Sequence, residues 1–544
     1  PLAVAMIGVG VGLAAAMALT AFYEMNSMTP ALALMLGLAV GIDYALFIVN
    51  RHRSQLLQGM DLKESIARAV GTSGSAVLFA GTTVVIALVA LVLSGIPLLA
   101  QMGLVAAGTV AVAVLVALTF SPALLRIMGT RVVSRRGWRA AEFTTPGEVS
   151  TRVVTEDQHE EEHGGWYVRL ITRRPWLTVL GVVALVGIIA FPALDLRLGL
   201  PGGGNEPADS TAYRAYAATA QAFGPGMNGP VIVVADLPGT PTQEQVSATQ
   251  AHLATSLAAV DGVEHVVPFG TSADHRTLAF QVVPSTGPAE AQTVTTVHAL
   301  LDGASSIGAS TGTTIGLTGQ TVANIEISER LAAALPTYLL VVVGLSLLIL
   351  TAVFRSVVVP LVATAGFLLS VATAFGATVM VYQWGWLGSI FGVHDPGPIL
   401  SFMPIMLIGV LFGLAMDYQM FLVSGMREAW SHGEDARTAV RSGFTHGAKV
   451  VTAAAVIMFA VFGGFVFSHL TMIRPMGFGL AVGVLTDAVL VRMTLTPAVM
   501  HLLGERAWYM PGWLDRLTPD LDVEGTSLSA MNDAQSRPLD PLPA

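Results

Sequence analysis

The sequence contains no cysteine and only two lysines, Lys63 and Lys449, among its 544 residues. Without cysteine the chain cannot form disulfides, thiolate metal sites or cysteine nucleophiles. Neither lysine lies in a GxxxxGK[ST] run, so the chain lacks the phosphate-binding loop of an ATPase. The formal net charge of −9 argues against a nucleic-acid partner.

Charged residues are also scarce. They make up 12% of the chain, against about 25% in soluble domains, whereas hydrophobic residues make up 53%. No Asp, Glu, Lys or Arg occurs between Ala69 and Leu125. A run of this length matches two consecutive membrane spans of about 20 residues each. The composition therefore predicts a polytopic α-helical membrane protein.

Uncharged apolar windows predict ten membrane spans. The windows are 1–22, 30–50, 75–94, 100–127, 175–194, 331–353, 358–381, 399–424, 449–468 and 474–503. Basic residues cluster after the second and eighth spans, so the positive-inside rule places both of those loops in the cytosol. The segment between the fifth and sixth spans then lies outside. We therefore expect a multi-pass protein of the cytoplasmic membrane.

The outside segment, residues 195–330, is the only sizeable soluble domain predicted. After a helix at 210–223, it has strand patterns at 230–236, 262–268, 276–283 and 313–319 and helix patterns at 241–258 and 288–305. This order, βαββαβ, is the ferredoxin-like α+β arrangement. The remaining parts are predicted as four spans in 1–128, a disordered cytosolic linker in 129–174, one span in 175–194, five spans in 331–503 and a cytosolic tail in 504–544.

Two parts of the chain repeat each other at a nearly constant distance. The run Gly41-Ile-Asp-Tyr-Ala-Leu-Phe-Ile-Val matches Ala415-Met-Asp-Tyr-Gln-Met-Phe-Leu-Val, and Ser121-Pro-Ala-Leu-Leu matches Thr496-Pro-Ala-Val-Met. Extending the repeat predicts about 185 further residues upstream of Pro1, with a span, an outside domain and another span. The chain is therefore expected to be an N-terminally truncated part of a protein with twelve spans, a transporter architecture.

Each repeat places an aspartate followed by a tyrosine inside a span, Asp43-Tyr44 and Asp417-Tyr418. The aspartates precede the next arginine by eight and ten residues, which puts each carboxyl group about 12–15 Å from the cytosolic face. A hydrocarbon core is about 30 Å thick, so both acids lie near its centre. Inserting an acid at this depth of the membrane costs about 2.5–3.5 kcal/mol, and an apolar residue would avoid that cost. We therefore predict that these pairs relay protons, with the tyrosine hydroxyls as hydrogen-bond partners. The alternative is a purely structural polar anchor.

Asp487 and Arg492 form a secondary candidate pair of polar residues in the last span. A spacing of five separates them by about 140° on an α-helix, so they are not expected to pair within it. Arg492 is expected to extend toward the cytosol, while Asp487 meets a neighbouring helix in a structural role. The run Glu156–His163 carries ligand-type side chains, but its high charge favours a solvated linker over a metal site.

The Asp-Tyr runs at 41–47 and 412–418, together with the tail at 504–525, resemble the MMPL family of the resistance–nodulation–division (RND) superfamily of proton-driven exporters. The resemblance covers essentially the whole chain, although Gln419 stands where many members have an acid. It implies an RND-type repeated fold that exports lipids or other hydrophobic molecules. The proton gradient would drive transport without a cofactor or metal. Membrane lipids, accessory envelope proteins and further copies of the chain are the partners that it implies.

Two other functions stay open at this point. A non-transporting lipid-binding or regulatory membrane protein could use the same scaffold, and lipid binding without transport would favour it. The other is a membrane-embedded hydrolase. It has no cysteine–histidine site to support it, and absence of lipid-ester turnover would exclude it. The sequence favours a secondary active transporter over an enzyme.

Overall fold

The computed structural model describes most of the chain, namely residues 1–21, 24–26, 28–134, 138, 165–200, 202–431, 433–468, 470–516 and 518. The side chains of residues 165, 417, 421, 428, 431 and 446 lie outside this description. Within it, long apolar helices dominate and a small sheet-containing domain interrupts them between the fifth and sixth spans.

Apolar sequence with few helix breakers forms the long helices of both repeats. The helices are α1 (Leu2–Leu19), α2 (Met28–Leu57), α3 (Leu62–Val89), α4 (Pro97–Met128), α5 (Gly165–Arg173), α6 (Pro175–Ala190), α7 (Thr211–Phe223), α8 (Gln243–Ala258), α9 (Ala291–Thr311), α10 (Gln320–Phe354), α11 (Val358–Thr378), α12 (Gly388–Phe391), α13 (Met403–Ser431), α14 (Ala436–Val466), α15 (Ile473–Leu485), α16 (Thr496–Leu503) and α17 (Gly512–Asp515). Two π-helical stretches continue α11 and α15, at Val379–Gln383 and Thr486–Leu495. Within the described residues, ten helical segments are long and apolar enough to cross a membrane, as the sequence predicts.

The ferredoxin-like domain has one four-stranded sheet. Its strands are β2 (Val231–Asp236), β3 (Val263–Thr271), β4 (Thr277–Pro284) and β5 (Thr314–Thr318). They lie in the order β3-β4-β2-β5, and every neighbouring pair is antiparallel. Val231, Val233 and Ala235 alternate along β2 and are fully buried, which fixes the face that the helices cover. The predicted βαββαβ fold is therefore confirmed. We call the membrane side that carries this domain the outer side.

A second, two-stranded sheet joins the domain to the helices. Strand β1 (Leu198–Gly199) pairs in parallel with β6 (Ile399–Leu400). Next to it, the Gln383 amide accepts from the backbone N–H of Arg197 at 2.9 Å and donates to the carbonyl of Asp195 at 2.6 Å. The segment leaving α6 is thereby attached to the end of the α11 span. Strands of two residues carry no periodicity, so the sequence did not predict them.

Glycines let helices of the two repeats approach closely. A Cβ atom at Gly413 in α13 would lie 2.8 Å from Cγ2 and 3.0 Å from Cα of Val84 in α3. Gly409, one turn earlier, leaves room for the Tyr338 ring, whose hydroxyl donates to the Ala87 carbonyl at 3.1 Å. Because α3 belongs to the first repeat and α13 to the second, these contacts hold the two repeats together.

Part of the predicted disordered linker is helical. Residues 165–173 form α5, whose Val168 and Ile171 are buried. The Tyr167 hydroxyl is 2.7 Å from that of Thr494, and its ring stacks on Phe444 at 6.3 Å. The expectation of disorder was wrong for this end of the linker, because an apolar stripe between charged residues packs on the bundle. The preceding 139–164 lie outside the described residues, as does the tail beyond 518.

Helices α13 and α14 approach each other closely at Gly443, so a larger residue there is expected to destabilise the protein. A Cβ atom at Gly443 would lie 2.4 Å from the backbone nitrogen of Met426. Gly443→Ala is therefore expected to lower the free energy of unfolding by about 1–3 kcal/mol, the usual cost of overpacking. Gly463→Ala is the matched control on the same helix, since no other element of the described structure lies within 4 Å of its Cβ position. Reversible unfolding in mixed micelles measures both, and equal losses would contradict the prediction.

Candidate functional site

Asp43 lies in the middle of α2 and is only 1% exposed. Its carboxyl group interacts with the side chain of Tyr418 from α13. The Tyr418 ring also packs against Phe47, one turn beyond Asp43, with 6.5 Å between ring centroids. Oxygen Oδ1 of Asp43 has no hydrogen-bond partner among the described residues. An acid of the first repeat thus meets a phenol of the second inside the apolar core.

The other predicted residues of the Asp-Tyr pairs lie on the same two helices. Tyr44 is fully buried in α2. Its ring packs close to α3, since a Cβ atom built on Gly81 would lie 3.5 Å from it. Asp417 lies within α13, but its side chain is outside the described part of the structure. The structure therefore brings Asp43 and Tyr418 together across the repeats, and the role of Asp417 stays a prediction.

Asp487 and Arg492 are paired, contrary to the α-helical expectation. Arg492 Nε donates to Asp487 Oδ2, and the arginine is 1% exposed, so it does not extend to the cytosol. The reason is the π-helix Thr486–Leu495, in which hydrogen bonds run from residue i to i+5. Residues five apart then lie on the same side of the helix, so Asp487 and Arg492 can pair inside the membrane. Gly366 leaves room for this wider turn, because a Cβ atom there would lie 2.3 Å from Val491 Cγ1.

Two further side chains complete this polar group, and neither was predicted as a site residue. Arg492 Nη1 donates to Gln419 Oε1 at 2.9 Å, and Ser370 Oγ donates to Asp487 Oδ1 at 3.4 Å. Gln419 directly follows Tyr418, so the polar group begins one residue from the Asp43 partner. One feature of the sequence distinguishes Gln419. It is polar, whereas the matching residue of the first repeat, Ala45, is apolar.

A small cavity separates the two polar groups. Its volume is about 10 Å³, and its walls include Tyr418, Ser370 and Asp487. This is close to the smallest space that holds one water molecule. The other walls of the cavity are apolar side chains, among them Phe367 and Leu411. The cavity therefore places Tyr418, the neighbour of Asp43, close to the polar group around Asp487.

A much larger cavity, of about 550 Å³, lies between the ferredoxin-like domain and the outer ends of the helices. Its lining includes Leu198, Tyr216, Asn324, Ser328 and Asp395. Burial, and repulsion from Glu290, raise the pKa of Asp395 above its usual range. The volume lies within the usual range for small-molecule pockets.

One run of the sequence resembles the nucleophile motif of serine hydrolases, but it does not form a catalytic site in the described structure. In Gly308-Ala-Ser-Thr-Gly312, Ser310 Oγ donates to the Ile307 carbonyl at 2.7 Å near the exposed end of α9. This is a helix end, whereas a nucleophile elbow turns from a strand into a helix. The run Glu156–His163 lies outside the described residues. Among those described, no group of three or more acids or histidines could hold a metal ion.

An internally repeated bundle of spanning helices, with a buried acid at the repeat interface and a ferredoxin-like domain outside it, defines a multi-pass membrane protein of transporter architecture. The chain belongs to the MMPL family, whose sequence profile matches residues 1–178 and 205–519.

Similar proteins come from several bacteria. "Membrane protein YdfJ" of Bacillus subtilis is 41% identical over 530 residues, which are 97% of this chain and 70% of YdfJ. "Mycolic acid-containing lipids exporter MmpL11" of Mycolicibacterium smegmatis is 31% identical over 93% of this chain and 52% of its own length. "Trehalose monomycolate exporter MmpL3" of Mycobacterium tuberculosis is 27% identical over 93% of this chain and 55% of its own length. The chain thus spans about half the length of these two exporters.

Proposed function

We propose that this protein uses the proton gradient to move lipids or other hydrophobic molecules outward from the cytoplasmic membrane. The family relationship supports transport of lipids as the general activity, since two of the relatives are named as lipid exporters. The observation that carries the coupling is the contact between Asp43 and Tyr418. It joins the two repeats through an ionisable group that is costly to keep in hydrocarbon.

Proton binding would change this contact directly. An ionised Asp43 only accepts hydrogen bonds, whereas a protonated one can also donate. Tyr418 can serve either form, by donating to the carboxylate or accepting from the acid. Neutralising Asp43 also removes a charge that must otherwise be solvated. Because α2 and α13 belong to different repeats, each proton uptake alters the interface between them.

The group around Asp487 provides the second part of the relay. Arg492 supplies a permanent positive charge within this group, and the 10 Å³ cavity lies between Asp487 and Tyr418. A proton that crosses the membrane potential releases about 2.3 kcal/mol per 100 mV. This energy would drive the repeats between two packing arrangements as protons enter from the outer side and leave to the cytosol.

Substrate would bind in the 550 Å³ cavity. Ser328 of α10 lines this cavity and its hydroxyl is 2.6 Å from that of Ser401, while Tyr338 of the same helix bonds α3 inside the membrane. Helix α10 therefore connects the cavity wall to the repeat interface. A change at that interface would be passed to the cavity without an intervening loop.

Transport by the full-length protein in proteoliposomes tests this function. We expect fluorescent lipid to move outward when the external medium is made acidic, and movement to stop when a protonophore removes the gradient. Binding of lipid with no transport at any gradient would favour the non-transporting alternative. Transport at an unchanged rate after addition of the protonophore would contradict proton coupling.

A further inference from the structure

The last span contains one residue more than α4, its counterpart in the first repeat. Gly103 and Gly477 match each other near the outer ends of the two spans. A Cβ atom at Gly103 would contact the carbonyl oxygen of Leu88 in α3. A Cβ atom at Gly477 would lie 3.0 Å from the carbonyl oxygen of Phe462 in α14. Each carbonyl belongs to the preceding span, 15 residues earlier in the chain, so the two glycines have the same place in their repeats.

Gly129 and Gly504 match each other at the cytosolic ends of these spans. Both glycines have a φ of +55°, and each directly follows the helix that it ends. From Gly103 to Gly129 the chain advances by 26 residues. From Gly477 to Gly504 it advances by 27. The extra residue is therefore inside the last span and not in a loop.

Hydrogen bonds of two matching threonines show where the extra residue lies. The Thr119 hydroxyl in α4 donates to the Leu115 carbonyl, four residues earlier, at 2.6 Å. Thr494, which matches Thr119, donates at 2.6 Å to the Val489 carbonyl, five residues earlier. This interval falls within the π-helix Thr486–Leu495, whereas α4 is α-helical throughout. An α-helix closes its hydrogen bonds over four residues and a π-helix over five. The inserted residue thus produces the wider turn that pairs the two buried charges.

Packing fixes the last span on the outer side of this wider turn. Cβ atoms at Gly479 and Gly483 would each lie 2.6 Å from a leucine side chain of α13, Leu407 and Leu411 respectively. Rotation of this part would bring larger side chains into that contact, and overpacking of this kind is costly. The outer half is therefore held in place, and only the cytosolic half is able to change its register.

The segment on the cytosolic side of the turn has two features that favour such a change. Pro497 has no N–H group, so one carbonyl of the preceding turn lacks a helical partner in an α-register and in a π-register alike. Thr496 Oγ1 is buried and has no hydrogen-bond partner among the described residues. This hydroxyl can bond a carbonyl that the wider turn exposes. Both features lower the cost of moving the wider turn toward Thr496.

The position of the wider turn controls the buried ion pair. If the turn moves past Arg492, residues 487–492 become α-helical and Arg492 rotates by about 100°, one residue of an α-helix. Asp487 and Arg492 are then about 140° apart and cannot pair. The ion pair holds the turn in its present place only while Asp487 is ionised. The other described groups that face Asp487 are Ser370 of α11, which donates to it, and Tyr418 of α13 across the small cavity.

We propose that the inserted residue makes the last span a conformational switch. The wider turn lies between Asp487 and Arg492 while Asp487 is ionised, and it moves toward Thr496 when Asp487 takes up a proton. The inference rests on the proposed proton coupling, to which it adds the element that moves. The Tyr167 hydroxyl of α5 lies 2.7 Å from that of Thr494, so the same movement changes a contact at the cytosolic side.

Deleting Val489 tests whether transport needs the wider turn. Val489 is 42% exposed, so its deletion removes little packing. Asp487 and Arg492 are then four residues apart, a spacing that an α-helix places on one side. The full-length variant is expected to fold with the ion pair intact. Its gradient-driven transport should fall about tenfold or more, because conformational steps limit many turnover rates.

Val489→Ala is the matched control, because it keeps the length of the span, and it is expected to transport at the wild-type rate. Transport by the deletion variant at the wild-type rate would overturn the switch, since the π-helix would then serve only to pair the charges. An equal loss in Val489→Ala would overturn it as well.

Hydrogen exchange of the full-length protein tests the movement without transport. Asp487→Asn imitates the protonated acid. The amides of residues 488–496 are expected to exchange about tenfold faster in this variant than in the wild type, whereas those of residues 112–121 in α4 stay unchanged. The same substitution combined with deletion of Val489 should give no local increase, because the wider turn is absent.

Equal exchange in Asp487→Asn and the wild type would overturn the switch, as would an equal increase in both segments, which indicates general destabilisation. If the deletion variant does not fold, the comparison of these two segments still decides the result. A wild-type protein without gradient-driven transport would contradict the proposed function, whereas the exchange measurement would still test the movement by itself.

Discussion

Replacing Asp43 with Asn is expected to abolish proton-driven transport while the protein still folds. Asparagine has nearly the same size and can accept from Tyr418, but it cannot bind and release a proton. The expected loss is about 100-fold or more, the order of magnitude found when a proton-transfer group is removed. Gradient-driven lipid movement in proteoliposomes measures it. Tyr418→Phe should reduce the same rate by a smaller factor, because the carboxyl group keeps its proton site but loses its neighbour.

Asp61→Asn is the control for this experiment. Asp61 caps the start of α3 by accepting from the Lys63 backbone N–H at 2.9 Å, and asparagine caps about as well. The same chemical change outside the membrane should therefore leave transport and stability unaltered. Gradient-driven transport that persists in Asp43→Asn at the wild-type rate would show that Asp43 is only a structural anchor.

The second large effect concerns stability. Breaking the Asp487–Arg492 pair with Arg492→Leu is expected to lower the free energy of unfolding by about 3–5 kcal/mol, because an unpaired carboxylate stays buried. Asp487→Asn leaves an unpaired arginine and should cost a similar amount. Combining Asp487→Asn with Arg492→Leu removes both charges, so the double variant should be more stable than the sum of the single losses predicts.

A double-mutant cycle in mixed micelles measures this coupling. Additive losses would contradict an interaction between the two charges. Glu64 and Arg68 provide the comparison, because their side chains are 3.6 Å apart on α3 but about half exposed. Such surface pairs contribute little, so the same cycle there is expected to give about 0.5 kcal/mol or less.

Hydropathy and periodicity predicted the fold well because each element carries its own local pattern. The ten apolar windows and the βαββαβ order could be derived because spans need long uncharged runs and half-buried strands need alternation. The α5 helix was missed because its apolar stripe is short and lies among charged residues. Pairing of β1 with β6 involves two residues on each side, too few to give a periodic signal.

The candidate site was less predictable, because the partners of a buried group depend on how helices pack. The sequence located Asp43 and Tyr418 inside the membrane, but their contact across the repeats follows from how closely the helices approach. The spacing of Asp487 and Arg492 indicated opposite faces only while an α-helix was assumed. A five-residue spacing of opposite charges in an apolar span is itself consistent with a π-helix, and that signal was available.

Helix α10 runs from Gln320, in the ferredoxin-like domain, to Phe354 at the cytosolic side, and its 35 residues span about 50 Å at about 1.5 Å per residue. Pro336 lies at the middle of this helix. A proline inside a helix removes one backbone hydrogen bond and favours a bend at that point. Ser328 lies about 12 Å from Pro336 along the helix, so a bend of about 5° there would move the cavity wall at Ser328 by about 1 Å. The proline thus places a hinge beside Tyr338, where α10 contacts the first repeat.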